Sequence, residues 1–535
     1  MQSLRQELDR SFSALKREPT PPYFISYQLE DNQSFHVTSS FGALTASREK
    51  RTRVLDIDLR IDLRIGEYKR DSSHSPMFTG GRYGQFRGQI PIEDAADALK
   101  VALWLETDRN YNDAVQRFEA MKTNRELKVA EEDDSPDFSP APAQKYSEVA
   151  EPLRFDSAAW EEKVRHYGRP FRKNADIVDA DITASAELLT RRYVNTDGAE
   201  IRTSTPLYKL DISASIRAED GEILPLQQMF MSFAPEGLPS DDVVLETVSK
   251  MIDTLLALQK APLAEAYTGP AILSGRASAV FFHEIFGHRI EGARLKNDDD
   301  AQTFKKKINQ QVLPTFLSVY SDPTLSHTGT FDLVGHYPFD DEGVKARRVT
   351  VVDKGIFKSF LMSRSPMAEF TASNGHGRHQ PGYPASARQS NLIVEASQTI
   401  SRAELKKKLI ERIKAAKKPY GMLLEDIKGG VTFTSRSMPN AFSVMPTLVY
   451  RIYPDGREQL VRGLDLIGTP LIAFSKIVAA DNEPGVFDGI CGAESGWVPV
   501  SAVAPGVLLE QIEVQRKEKS QERKPILPSP VALGN

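Results

Sequence analysis

One cysteine, Cys491, stands in 535 residues, and that scarcity excludes an internal disulfide framework. No run approaches the roughly 18 to 20 consecutive apolar residues that carry a helix across a bilayer, which excludes an integral membrane protein of helical type. Neither sign of charge dominates: 68 Lys and Arg against 73 Asp and Glu leave a net charge of −5 and a pI near 6.1. Basic runs such as Lys305-Lys306-Lys307 are short and local, so nothing global points to nucleic acid. The first residues, Met1 to Leu8, are charged and lack an apolar h-region. No secretory signal is expected in the sequence as it stands, and the cytoplasm is the expected compartment, an exported protein only if a signal has been removed. What is present is the balance of an ordinary globular chain, 40% hydrophobic and 26% charged, too long for one typical core.

The patterning is mixed. Leu4, Leu8, Phe12 and Leu15 recur at helical spacing over residues 2–16, ahead of Pro19, Pro21 and Pro22. Strands are predicted at Tyr23–Leu29 and Ser34–Leu44 around an Asp31-Asn32 turn. Leu55, Ile57, Leu59, Ile61, Leu63 and Ile65 then alternate with Asp56, Asp58, Arg60, Asp62 and Arg64, the signature of a strand with one buried and one wet face. Ile92–Leu127 reads as helix, in one piece or two. Glu131–Pro142 concentrates acids, serines and prolines and is predicted to be a linker or loop insertion that extends to about residue 155. Helix at Ser157–Tyr167, hairpins with turn chemistry at Tyr193–Gly198 and Glu219–Gly221, and a helix at Val243–Leu258 complete this half. Beyond a strand at Tyr267–Leu273, segments 331–362, 389–395 and 442–474 read as strands and hairpins, interrupted by a basic helix at Arg402–Ala416. The expected fold class is α+β in two domains: an N-terminal mixed domain with antiparallel strands over 1–265, and a mostly antiparallel β domain over 266–516 with an embedded metal-binding helix. Residues 517–535 are expected to form a disordered tail, with the charged stretch beginning near Gln515.

The chemistry concentrates in one place. Phe281-Phe282-His283-Glu284-Ile285-Phe286-Gly287-His288-Arg289-Ile290-Glu291-Gly292 sets two imidazoles around a glutamate in an apolar setting. Imidazole ligates zinc and an adjacent glutamate can move a proton, the logic of H-E-x-x-H enzymes. Here the histidines are five apart, which on a regular α-helix places them about 140° from each other. A π-bulge, or a helix ending at Gly287, would bring them together. Zinc in a hydrolase takes about three protein ligands and keeps a position open, so a third donor is needed. Cys491, between Gly489 and Gly492 in Phe487–Gly496, is a candidate, although a lone cysteine serves equally as a buried small hydrophobe or a nucleophile. Glu291 could orient a histidine or cap the helix. Arg378, His376 and His336 have side chains able to assist an oxyanion, with no feature that places them in the site.

His283-Glu284-Ile285-Phe286-Gly287-His288-Arg289-Ile290-Glu291-Gly292 resembles the H-E-x-x-x-H-x-x-E-G signature of the TldD/PmbA metallopeptidases. Phe339-Asp340-Asp341-Glu342-Gly343 is similar to that family's F-D-D-E-G segment, Gly375-His376-Gly377-Arg378 to its G-N-G-R, and Ile490-Cys491-Gly492 to its V-C-G, with Val461-Arg462-Gly463 and Leu466-Ile467-Gly468 between them. The resemblance spans about residues 267–510. It implies a zinc-dependent peptidase in which His283, His288 and Cys491 hold Zn²⁺ and Glu284 is the catalytic base. It also implies unfolded or flexible peptides as substrate, and a homodimer or a heterodimer with a paralogue. His376 stands where the family usually has Asn. The alternative expectation is a non-catalytic peptide-binding or partner subunit with a structural metal.

Overall fold

In the computed structural model the described residues are 1–62, 90–124, 133, 135–296, 303–432 and 442–517, with 527 and 530. The N-terminal domain runs α1 (Gln2–Leu15), β1 (Pro22–Ser40), β2 (Ala43–Ile61), α2 (Ala96–Asn124), β3 (Lys145–Ser147), α3 (Ser157–Gly168), β4 (Ile177–Asn195), β5 (Glu200–Arg217), β6 (Ile223–Ser232) and α4 (Asp241–Lys260). Among the described residues its strands form one sheet in the order β2-β1-β4-β5-β3, with β6 also on β5.

The Asp31-Asn32 turn predicted from sequence is absent. β1 continues through it and the chain reverses at Phe41-Gly42 instead, where φ is 47° and 71°. Asp31 stays in the ladder because it faces Arg53: its carboxylate accepts from Arg51 at 2.9 and 2.8 Å and from Arg53 at 2.9 Å. Gly42 is required at the new turn, since a Cβ would lie 2.7 Å from the Arg165 carbonyl oxygen.

One face of these long strands is dry at both ends. Ile25, Tyr27, Leu29, Leu55, Ile57 and Leu59 pack under α1 and α2, while Val37, Ile182, Ala184, Leu210 and Ile212 pack under α3 and α4. The alternation seen at Leu55–Ile61 therefore holds, with Leu63 and Ile65 outside the described residues. Its polar partners are not a free wet face. Asp56 meets His379 at 3.3 Å, Arg60 lies over Phe138, and on β4 Arg191 donates to the Phe339 carbonyl at 2.8 Å and Tyr193 to the Glu342 carbonyl at 3.2 Å. That face docks the C-terminal domain.

The C-terminal domain begins with β7 (Tyr267–Leu273) and α5 (Gly275–Phe281). β7 pairs with Gly421–Thr432 on one side and Val507–Arg516 on the other, and the pairing continues through Leu464–Gly468 and Phe442–Ile452 back to Gly421–Thr432, so five strands close a ring. A second sheet carries Leu317–Ser321, Asn391–Ala396, Gly496–Ala504 and, at its edge, Gly485–Ala493. Val280, Phe281 and Phe282 share one core with Leu424, Val444 and Leu509 of the ring and with Val319, Leu392 and Ala502 of the second sheet. The apolar helix predicted from sequence is thus buried between two sheets.

Three expectations change. The acidic stretch is irregular, but its described part is packed: Ser135 Oγ donates to the Pro366 carbonyl at 3.0 Å, Arg364 Nε donates to the Ser139 carbonyl at 2.9 Å, and Phe138 sits between the guanidinium groups of Arg60 and Arg364. Buried arginine partners supply what its own composition lacks. Within the hairpins expected over 442–474, Pro470–Ser475 is a short helix with proline in its first turn. Gln515 and Arg516 belong to the final strand; most of the residues that follow, like 125–127 of the expected long helix, lie outside the described residues. No helix among the described residues is long and apolar enough to cross a membrane.

Candidate metal centre

Ser274 starts the helix that carries the histidines. Its Oγ donates to the Glu425 carbonyl at 2.6 Å and accepts from Ala277 N–H at 3.4 Å, capping α5 and tying it to the neighbouring strand. At Phe282 the helix widens: Phe282–Phe286 is a π turn, in which Gly287 N–H donates to the Phe282 carbonyl, and Gly287–Arg289 tightens into a 3₁₀ turn. Phe281, Phe282 and Phe286 all pack on the Phe474 ring and fix the turn's outer side. The extra residue in the turn rotates His288 back toward His283, and the two ring centroids lie 5.3 Å apart.

Cys491 comes from the edge strand Gly485–Ala493, opposite Val498 in a hairpin with Gly496–Ala504. Its Sγ is 3.3 Å from His288 Nε2, and ligand atoms of His283, His288 and Cys491 all lie within 4.8 Å of one another, all three residues being buried. Glu284 stands at the rim. Its Oε1 accepts from Gly430 N–H at 3.1 Å and its Oε2 is 4.0 Å from His288 Nε2. Behind the site, Glu291 is fully buried: its Oε2 takes His288 Nδ1 at 3.2 Å and Arg294 Nε at 3.1 Å.

The electrostatics follow from this crowding. Burial raises the Glu284 carboxyl, with Cys491 adding to the rise, while His283, His288 and the Gly430 N–H act against it. Burial alone would lower His288, but the charge of Cys491 and of Glu291 outweighs it and holds the imidazole at about 10. Burial would raise Cys491 in turn, and His288 and His283 hold it well below the usual thiol range. Glu291 remains well below the usual carboxylate range despite its burial, because His288 and Arg294 face it.

Two nitrogen donors and a sulfur suit a borderline-soft ion of the zinc kind. His283 Nδ1 is buried with no hydrogen-bond partner among the described residues, an unsatisfied nitrogen that ligation of a cation would satisfy. Of the three, His288 has a carboxylate on its second ring nitrogen, Glu291, while the chain at His283 and Cys491 is held through the backbone carbonyls. The residues fit a metal ion.

Sequence reasoning did not find Gln389, Arg388 or Gly430. Gln389 Nε2 donates to the His283 carbonyl at 3.3 Å, and Arg388 donates to the Cys491 carbonyl at 2.9 Å. Nothing local marks Arg388 and Gln389, ordinary polar side chains about a hundred positions from the motif, or Gly430, a glycine farther still along the chain. The candidates left unplaced are engaged elsewhere. His376 bonds Asn374 and Ser321, and burial lowers its imidazole to about 3. Arg378 donates to the Gln389 and Pro499 carbonyls, and His336 Nδ1 lies 2.8 Å from the Pro323 carbonyl oxygen.

Known proteins resemble this chain in sequence and in fold. Residues 266–516 match the family model described as the PmbA/TldA metallopeptidase C-terminal domain. A metalloprotease of Archaeoglobus fulgidus is 26% identical over 63% of this chain and 74% of its own length. A zinc metalloprotease TldD homolog of Saccharolobus solfataricus is 24% identical over 61% of this chain and 69% of its own. In fold, the chain is similar to the crystal structure of TldE from Thermococcus kodakarensis, with a TM-score of 0.61, 12% identity, and coverage of 96% of this chain and 100% of that one.

Proposed function

We propose, proceeding from the chain's membership of the TldD/PmbA family, that it is a zinc-dependent peptidase acting on unfolded or flexible peptides. His283, His288 and Cys491 hold the metal and Glu284 is the general base. The observation that carries this reading is the convergence of the three donors within 4.8 Å, with the Glu284 carboxylate 4.0 Å from the same His288 Nε2. Bound zinc supplies Lewis acidity to the carbonyl and acidifies water at the site. Glu284 then does the proton work: Oε2 takes the proton of the attacking water and returns it to the departing amine. Gly430 N–H anchors the other oxygen and fixes which one faces the site. Burial that raises the carboxyl makes it a better proton acceptor near neutral pH. A homodimer, or a heterodimer with a paralogue, belongs to the same proposal and rests on the family likeness.

Glu284→Gln tests it. Metal should be retained and hydrolysis of an unstructured fluorogenic peptide should drop by about 10²–10⁴-fold; full hydrolysis by the metal-loaded variant would sink the mechanism, whereas a metal-loaded wild type that binds the peptide without cleaving it would favour a non-catalytic peptide-binding subunit. The 3.3 Å Cys491–His288 pair also favours a second reading, a thiol enzyme with Cys491 as nucleophile. A chelator separates the two. The zinc reading requires loss of activity and recovery on adding metal, the thiol reading requires neither.

A further inference from the structure

We infer that Arg388 and Gln389 together are the positioning element of the metal centre, one pair of adjacent residues that holds all three donors from behind; the inference rests on the zinc reading above. Arg388 is among the largest fully buried side chains in the chain. Its guanidinium reaches in two directions. NH2 donates to the carbonyl of Cys491 at 2.9 Å, and NH1 to Ser495 Oγ at 2.9 Å and the Gly496 carbonyl at 3.1 Å, so it grips both strands of the hairpin and the turn between them. Nε lies 3.3 Å from Oε1 of Glu291, the carboxylate whose other oxygen meets His288 Nδ1. Gln389 completes the set: its backbone N–H donates to the same Glu291 oxygen at 3.3 Å, and its side-chain amide donates to the His283 carbonyl.

Each contact answers a specific need. The wide turn at Phe282–Phe286 takes the His283 carbonyl out of regular α-helical bonding, and Gln389 gives it a donor. Cys491 lies on an edge strand, where half the backbone has no ladder partner to fix it; Arg388 pins it. A planar fork is what the task needs, since an ammonium in its place cannot span Glu291 and two carbonyls at once. Arg388 and Gln389 touch no reacting atom. They act through the ligands, by setting where the donors sit before an ion arrives.

The test uses the full chain with zinc affinity measured by competition with a chromophoric chelator, and with cobalt(II) in place of zinc as a spectroscopic probe. Arg388→Lys should weaken zinc by about 10–100-fold and diminish the thiolate-to-cobalt absorption. Ser495→Ala, which removes one anchor of the guanidinium with little change in volume, should shift both in the same direction by less. Wild-type zinc affinity and an unaltered cobalt spectrum in folded Arg388→Lys overturn the inference, and so does a loss of thermal stability alone with metal binding unchanged. If Arg388→Lys does not fold, Ser495→Ala decides by the same two readouts. If the wild-type chain binds neither zinc nor cobalt, the zinc reading falls and this inference with it; if the wild type binds and the variants are unaffected, only this inference falls.

Discussion

Gly287→Ala separates the present structure from intuition about helices. The Gly287 backbone sits at φ −58° and ψ −47°, ordinary helical values, so on conformational grounds alanine should stabilise by about 0.4–1 kcal/mol. The contact reverses the sign. A Cβ there would lie 1.8 Å from Gln389 Oε1, 2.1 Å from its Cδ and 2.5 Å from its Nε2, and Gln389 is only 1% exposed, with no solvent to retreat into. Overpacking of this kind costs about 1–3 kcal/mol. Driving the amide off the His283 carbonyl orphans a buried acceptor, for about 1–3 kcal/mol more. The net expectation is a loss of about 1–5 kcal/mol. Urea unfolding of the metal-free chain measures it, in a background where Trp104 and Trp160 are phenylalanine so that Trp497 reports from the Cys491 hairpin. Gln389→Ala alone should also destabilise. In the double variant the alanine methyl enters the space that the amide vacated, so the two costs should fall short of their sum by about 1–3 kcal/mol. A neutral or stabilised Gly287→Ala, or a cycle additive to within about 0.5 kcal/mol, would refute the close approach.

Three further expectations address the site, the pH dependence and the domain contact. His283→Ala and Cys491→Ser should each purify with strongly reduced metal content, measured by elemental analysis against wild type; metal retained in full by either variant removes that residue from the ligand set. Burial lifts the Asp488 carboxyl to about 6 from the usual value of 3.8, against the hydrogen bond donated by Ser501. A raised carboxyl binds its proton more tightly in the folded state, so its contribution to stability is complete below pH 4 and is lost as pH rises through about 6. Relative to Asp488→Asn, wild-type stability should therefore fall across pH 4 to 6 in denaturant titrations, and a parallel pair of curves would contradict the burial. Arg364 is 1% exposed and joins Ser139, Asp197 and the Phe138 ring. Arg364→Met should cost about 3 kcal/mol or more by breaking a buried charged network, and should speed proteolysis near residues 135–139; a variant as stable and as resistant as wild type would show that this contact does not hold the domains together.

The site and the fold were legible to different depths. The α+β class, β7, the helix behind it and the hairpins within Tyr193–Gly198 and Glu219–Gly221 could be read because apolar period and turn chemistry are local properties. The same local logic misplaced a turn at Asp31, since arginines 20 and 22 residues away in sequence neutralise that carboxylate across the ladder. It also assigned Asp56, Asp58 and Arg60 to a wet face, because period two reports that two faces differ and says nothing of what covers the polar one.

By itself the sequence determined the chemistry available: which donors exist, that two of them are five apart, and that a single cysteine was a candidate third. Tertiary structure decided how those donors meet. The π turn converts an unfavourable spacing into convergence, a sheet edge brings Cys491 to His288 across more than two hundred residues, and buried Arg388 and Gln389 hold the arrangement from a third segment. The physical reason is that donor identity is covalent and local, whereas donor geometry is set by packing and hydrogen bonds between segments whose separation in sequence carries no trace of their contact.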